Sequence, residues 1–434
     1  MTSSHSRVAP QAEQVPLGIW QLFWLAAAVF VVSAGYGSLM PLLPRWLETM
    51  MPGAGNAEIA RHVGWLSGAY AAGVLVGAPL WGSLSDRVGY RRILIVGLLG
   101  YVASLLLLLS PVGSGIWGIY AMRGAAGFFV AAVIPIVPAL VAARTPRKQR
   151  ARRFAWLSGV SLAGFLVGPG LIALAGALVR WFGWAPADAD AESLTQVVIV
   201  LSVLLGALPM LGLASTLARH HAINAGKASP RAPLKVMGVL PLWAMSGTVM
   251  FVLSGFELGI VLQGQWHPDL SSQDVAWMFA ECSIAILLVN ALLFFTSLLE
   301  RVAPRILATV GLVLGVGGLM VLGQHQAQPW LYVGIGMMAA GTGLVLPVVS
   351  YLAASTSRRT LGATMGGLAA AAGLGQTLGS SAGGWVFGVI GQASFNWLSI
   401  PLGGLLVVLM ARPGWWLATA SHLPIVAAVP RSRL

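Results

Sequence analysis

The sequence predicts an all-α membrane protein of twelve transmembrane helices in two pseudo-symmetric six-helix bundles. Three observations carry this. The 434 residues are 57% hydrophobic and 9% charged, whereas a soluble domain has about 25% charged residues. Twelve apolar runs each come near the roughly 20 residues that cross a bilayer. The second half of the chain also repeats the first at a nearly constant offset.

The runs lie near 19–43, 63–83, 92–110, 116–143, 153–179, 196–217, 238–263, 275–297, 304–323, 330–354, 362–389 and 395–412. Charge separates them in alternation. Arg45 and Arg61 precede the second run, and three arginines in 84–92 precede the third. Six basic residues in 144–153 divide the fourth from the fifth, and Arg180 follows the fifth. Four fall in 218–237, two in 298–305 and two in 355–361. Pro41, Pro135, Pro138, Pro169 and Pro347 fall in or at the ends of runs. Proline kinks a helix but is tolerated in membranes when neighbours satisfy the freed carbonyls.

Orientation follows from the basic residues. With both termini in the cytoplasm, 21 of the 25 Lys and Arg lie in inner loops and tails. Arg45, Arg61 and Arg180 lie outside, and Arg123 lies within a span. This obeys the positive-inside rule; the reversed topology would expose the run Arg144 to Arg153. Acidic residues lean the other way, with Glu48, Glu58, Asp188, Asp190, Glu192, Asp269 and Asp274 outside. The net charge of +13 therefore reflects topology and the lipid bilayer, not nucleic acid. Residues 1–17 are polar and lack the pattern of a cleavable signal peptide, so the first span is expected to be an uncleaved anchor.

The repeat shows in three places. Gly82-Ser-Leu-Ser-Asp86-Arg87-Val-Gly89-Tyr-Arg91 has a worn copy from Thr296 to Arg305, offset 214. Ile134-Pro135 is echoed by Leu346-Pro347, offset 212, and Gly164 with Gly168 by Gly375 with Gly379, offset 211. The expected organisation is an N-terminal half 1–217, a linker 218–237 and a C-terminal half 238–434. A parallel repeat of this kind puts the substrate site between the halves, near the bilayer midplane.

The stretch Gly82 to Arg92 is expected to be a short charged loop at a membrane face, with Gly82 and Gly89 allowing a tight turn. Its spacing resembles the signature G-x-L-x-D-R-x-G-x-R/K between helices 2 and 3 of the major facilitator superfamily. Gly82, Leu84, Asp86, Arg87, Gly89 and Arg91 match, and Tyr90 departs from the usual basic residue. The resemblance implies alternating access and a gating role for this set. The Asp86 carboxylate would meet a helix N-terminus of the other half in one state; the plainer alternative is a salt bridge to Arg87 or Arg91. As charges, Arg91, Arg92 and the run Arg144 to Arg153 need only topology and lipid headgroups to explain them.

Three charged residues fall well inside the spans: Arg123, Glu257 and Glu281. An ionisable group in a membrane is a functional candidate by default. Arg123 followed by Gly127 resembles the R-x-x-x-G motif of span 4 in the drug:proton antiporter branch, where the arginine is associated with proton coupling. A buried salt bridge or a helix-end clamp is the structural alternative. Glu257 and Glu281 lie at similar depth in the outer half of antiparallel spans 7 and 8, near the level of Arg123. A carboxyl withdrawn from water can exchange a proton near neutral pH, which coupling requires. Superfamily architecture implies that spans 1, 4, 7 and 10 line the cavity. That puts Arg123 and Glu257 on cavity helices and Glu281 on span 8, against span 5.

Span 5 carries Gly159, Gly164, Gly168, Pro169 and Gly170, which resembles the antiporter glycine series ending in G-P-x-x-G. Small residues at this spacing also serve ordinary close packing. Tyr36, Phe256, Trp277 and Tyr351 are candidate substrate contacts, because aromatic walls suit bulky apolar or cationic ligands.

The expected function is proton-coupled export of a small amphipathic or lipophilic compound across the inner membrane of a bacterium, by a monomer. No enzyme activity, cofactor or metal site is expected, and no G-x-x-x-x-G-K-S/T sequence marks a nucleotide site. Alternatives are a dedicated exporter of a cell-made metabolite such as a metallophore, a proton symporter for uptake, and a membrane sensor or scaffold. Cys282, the single cysteine, is expected to be a small buried residue. The seven histidines lie at loops, tails or span edges, which argues against a buried histidine relay.

Overall fold

The computed structural model describes residues 17–110, 115–145, 147–182, 191–217, 236–267, 270, 272–296, 298–355 and 361–411. The helices are α1 Ile19–Leu39, α2 Leu43–Met50, α3 Asn56–Val88, α4 Tyr90–Leu108, α5 Ile116–Val130, α6 Ile136–Ala143, α7 Arg147–Phe182 and α8 Ala191–Thr216. They continue with α9 Val236–Trp266, α10 Ser272–Phe295, α11 Leu298–Arg301, α12 Pro304–Gln324, α13 Gln328–Ser355, α14 Leu361–Ile390 and α15 Ser394–Ala411. No strand occurs among the described residues.

Among those residues nine helical stretches are long and apolar enough to cross a membrane; the last, Thr364–Ala411, contains two helices in tandem. The apolar helices Ile116–Val130 and Trp277–Leu293 are shorter. Together they account for all twelve expected runs. Most of the linker, 218–235, lies outside the described residues.

Two expectations about local structure are corrected. Span 4 is two helices, not one: residues 131–135 form turns, with Ala132 and Val133 donating to Phe129 and Val130, three residues back. Pro135 and Pro138 lack the N–H groups that would continue the α-helical ladder there. The echo in α13 has Pro347 alone and stays continuous.

The charged loop 84–92 is almost wholly helical. Only Gly89 separates α3 from α4, at φ 97° and ψ 142°, a conformation that side-chain-bearing residues avoid. Gly82 is helical with open space around it, so it makes no turn.

The two halves pack alike. In the first, α1 lies against α7 and α8, and α4 against α5 and α8. In the second, α9 lies against α14 and α15, and α12 against α13 and α15. Glycines explain the closeness. A Cβ at Gly168 would sit 2.6 Å from the Gly37 carbonyl carbon, and one at Gly164 would collide with the Phe30 carbonyl. Their counterparts Gly375 and Gly379 would collide with the Gly247 and Phe251 carbonyls in the same way. With lipid outside, such backbone approach holds helices through van der Waals packing.

The repeat also extends to side chains. The Arg91 guanidinium donates to the Ala214 carbonyl at the end of α8. Arg305 donates to the Leu409 and Met410 carbonyls at the end of α15, at 3.1 and 3.2 Å. Arg91 is therefore more than a topological charge: it satisfies a carbonyl that a helix end leaves free. Between the halves, α3 packs on α14 and α7 on α10.

Candidate functional site

The buried stripe of α5 is Ile119, Arg123, Ala126, Gly127 and Val130, a 3.6-residue period that turns Arg123 inward with its apolar neighbours. Arg123 is 2% exposed. Its guanidinium lies 4.9 Å from the centre of the Tyr70 ring and 3.9 Å from Met40 Sδ. Gly127 makes this possible, because a Cβ there would collide with the Tyr70 carbonyl. Trp81 Nε1 fastens the same two helices by donating to the Phe128 carbonyl at 2.8 Å.

No carboxylate pairs with Arg123; the ion pair found among the described residues is Arg61 with Glu58, at 3.9 Å. Arg123 Nε is buried without a hydrogen-bond partner. A desolvated cation–π contact contributes about 2 kcal/mol, whereas burying an unpaired charge costs several. The aromatic ring therefore offsets only part of the burial. The buried salt bridge is absent in this state.

Tyr36 extends the cluster around Arg123: its ring packs at a tilt on Tyr70 (5.0 Å) and on Phe165 of α7 (5.2 Å). Glu257 lies on α9, partly buried. Glu281 on α10 turns toward α13: its Oε1 lies 3.2 Å from where a Cβ at Gly336 would sit, and its Oε2 is buried without a partner. Cys282, next to Glu281 in the sequence, is buried. Spans 1, 2, 4 and 5 thus meet around one cation, while the two acids lie on spans 7 and 8 of the other half.

The other candidates are placed differently. Phe256 is fully buried and packs on Phe395 at 6.4 Å, joined by Phe387. It belongs to the seam of α9 with α14 and α15, not to the cluster around Tyr36. Trp277 is 60% exposed, outside that cluster. Tyr351 is partly buried on α13, 15 residues beyond Gly336, about 22 Å along the axis and so far from the level of Glu281. Helical phase accounts for Phe256 and distance along the helix for Tyr351.

Arg87 is exposed in the last turn of α3, where a cation suits the helix dipole. The side chains of Asp86 and Pro169 lie outside the described residues. Tyr70 and Met40 did not figure among the sequence candidates. Each sits in an apolar run with no marker of its own, and only packing brings it to Arg123.

Residues 25–268 match the Major Facilitator Superfamily. The chain belongs to that superfamily. It is 26% identical over 274 residues to multidrug resistance protein 2 of Bacillus subtilis, 62% of this chain and 64% of that protein. It is 28% identical over 151 residues to the quinolone resistance protein NorA of Staphylococcus aureus, 35% of this chain and 37% of that one. The chain spans less than two thirds of the length of these relatives. The human organic anion transporter MFSD10 (TETRAN) superposes with a TM-score of 0.66 at 17% identity, covering 90% of this chain and 99% of that one. A structure from work on proton dependent oligopeptide transporters superposes at 0.67 with 14% identity, covering 93% and 99%. These superpositions show the fold, and with the apolar helices described above they make the protein a multi-pass membrane protein.

Proposed function

We propose that this transporter exports small amphipathic or lipophilic compounds across a bacterial inner membrane in exchange for protons, by alternating access. The charge count supports an orientation with both termini in the cytoplasm. The observation that carries the reading is the array Arg123–Tyr70–Tyr36, a buried cation that no carboxylate neutralises; Glu257, in the other half, is the proposed acid that completes it. Proton entry at Glu257, with Glu281 as the second acid, removes a negative charge from this array. That alters the energy of the state in which the halves bring the two groups close, and only such a difference between states drives a cycle. Relatives named for multidrug and quinolone resistance support export of foreign compounds over uptake. Asp86 and Arg87, beside the Gly89 turn, are the proposed inner gate.

The test is a proteoliposome assay with a pH-sensitive dye inside and a panel of lipophilic cations and planar aromatic compounds outside. Addition of a substrate should release or draw protons in the direction opposite to substrate movement. Movement of both in one direction would make the protein a symporter, and movement of neither across the panel would end the proposal.

A further inference from the structure

The two halves meet at the expected outer face through a polar bridge centred on Gln265. This residue lies in the last turn of α9, in the second half. Its side-chain Nε2 donates to Glu48 Oε1 on α2 at 3.0 Å. Its backbone carbonyl accepts from Asn56 Nδ2, at the start of α3, at 3.2 Å. Both partners belong to the first half. Beside the bridge is a cavity of about 190 Å³ whose lining includes Pro41, Pro44, Arg45, Glu48 and Gln265.

Pro41 and Pro44 lie in the Met40–Leu42 3-10 turn and the first turn of α2, and α2 packs on α9. Arg45, one turn before Glu48 on the same helix, makes no ion pair with it (the pair in this region is Arg61 with Glu58). Glu48 takes the amide of the opposite half instead. Below the bridge, α3 and α14 touch backbone to backbone: a Cβ at Gly64 would sit 2.8 Å from Gly384 Cα. That seam is apolar and close-fitting, whereas the bridge is exposed and hydrogen-bonded. A charge-assisted bond in contact with water is strong enough to bias a two-state equilibrium and weak enough to break in each cycle.

We propose that Gln265 is the outer gate residue of the transport cycle. It holds Glu48 and Asn56 of the first half to the end of α9 in the state seen here, and it must release them before the central site opens outward. The proposal rests on the alternating-access reading and the orientation given above. Glu257 stands eight residues earlier on the same helix, about 12 Å along the axis, so the coupling acid and the gate ride on one rigid element.

The experiment places spin labels at Pro52→Cys and Gln326→Cys, exposed positions on the outer loops of the two halves, and reads their distance distribution in lipid nanodiscs. No substrate or proton gradient is needed. Glu48→Ala and Gln265→Ala should each raise the long-distance population by roughly three- to tenfold, the change for one lost hydrogen bond. Glu48→Gln, whose side-chain oxygen still accepts but without the charge, should fall between the unmodified protein and Glu48→Ala. Gln265→Glu sets two carboxylates face to face and should open the outer side further. The double exchange Glu48→Gln with Gln265→Glu rebuilds the donor–acceptor pair in reverse and should restore the original distribution, which a merely damaged fold would not do. Two populations that ignore these exchanges would overturn the gate alone. One unchanging distance in every variant and at every pH would overturn alternating access as well.

Discussion

Arg123 shows how a single residue is constrained by its neighbours. Its charge is held over the Tyr70 ring, with no acid beside it. Tyr70→Phe keeps the ring and should leave stability within about 0.5 kcal/mol, while Tyr70→Leu should lose about 2 kcal/mol of the cation–π contact. Thermal unfolding of the purified protein distinguishes these two results, and equal losses would mean that the hydroxyl, not the ring face, is what matters. For the acids, Glu257→Gln with normal expression should abolish gradient-driven transport and leave much of the ligand binding intact. Unchanged transport in both Glu257→Gln and Glu281→Gln proteins would remove these residues from coupling. Arg123→Lys should impair coupling too, because the planar fork is lost.

Among the elements, the closest contacts are made by glycines at four-residue spacing. Gly164 and Gly168 were legible in the sequence as a packing series, and the structure gives them α1 as partner. Gly384 had no such marker, yet it lies against Gly64 and the Ala60 carbonyl across the halves, where a Cβ would sit 2.6 Å from both Gly64 Cα and that oxygen. Gly384→Leu should therefore force α3 and α14 apart, costing on the order of 1–3 kcal/mol by overpacking. It should also increase the accessibility of nearby outer residues to a membrane-impermeant thiol reagent. Gly170→Leu, on an exposed stretch of α7 with open space around it, should be tolerated. Similar losses in the two variants would refute the distinction between contact and open glycines.

At the scale of the whole molecule, each half is tied at one end by an arginine, Arg91 to Ala214 and Arg305 to Leu409 and Met410. Removing either frees a part-buried carbonyl, Ala214 or Leu409, so Arg91→Ala and Arg305→Ala should each cost about 0.5–1.5 kcal/mol. The two sites share no partner, so the losses should add in the double variant to within about 0.5 kcal/mol. Marked non-additivity in denaturant-monitored unfolding would show that the halves are coupled through these ties.

Much of this architecture was decided by the sequence. Hydrocarbon offers backbone groups no partner but one another, so a run of apolar length must be helical; eleven of the runs carry one membrane helix each, and the fourth is divided in two at 131–135. The offset of 214 marked Arg305 as the counterpart of Arg91, but the helix-end carbonyls that both hold were not legible in it. Intramembrane charge, rare because it is costly, singled out Arg123, Glu257 and Glu281. What surrounds those groups was settled only by tertiary packing. Tyr70 faces Arg123 because Gly127 admits α3, Phe256 faces α15 because of its phase on α9, and Gln265 meets Glu48 because α2 packs on the end of α9. Those outcomes depend on which helix lies beside which and at what rotation, information carried by contacts between distant segments and not by any one segment's own pattern.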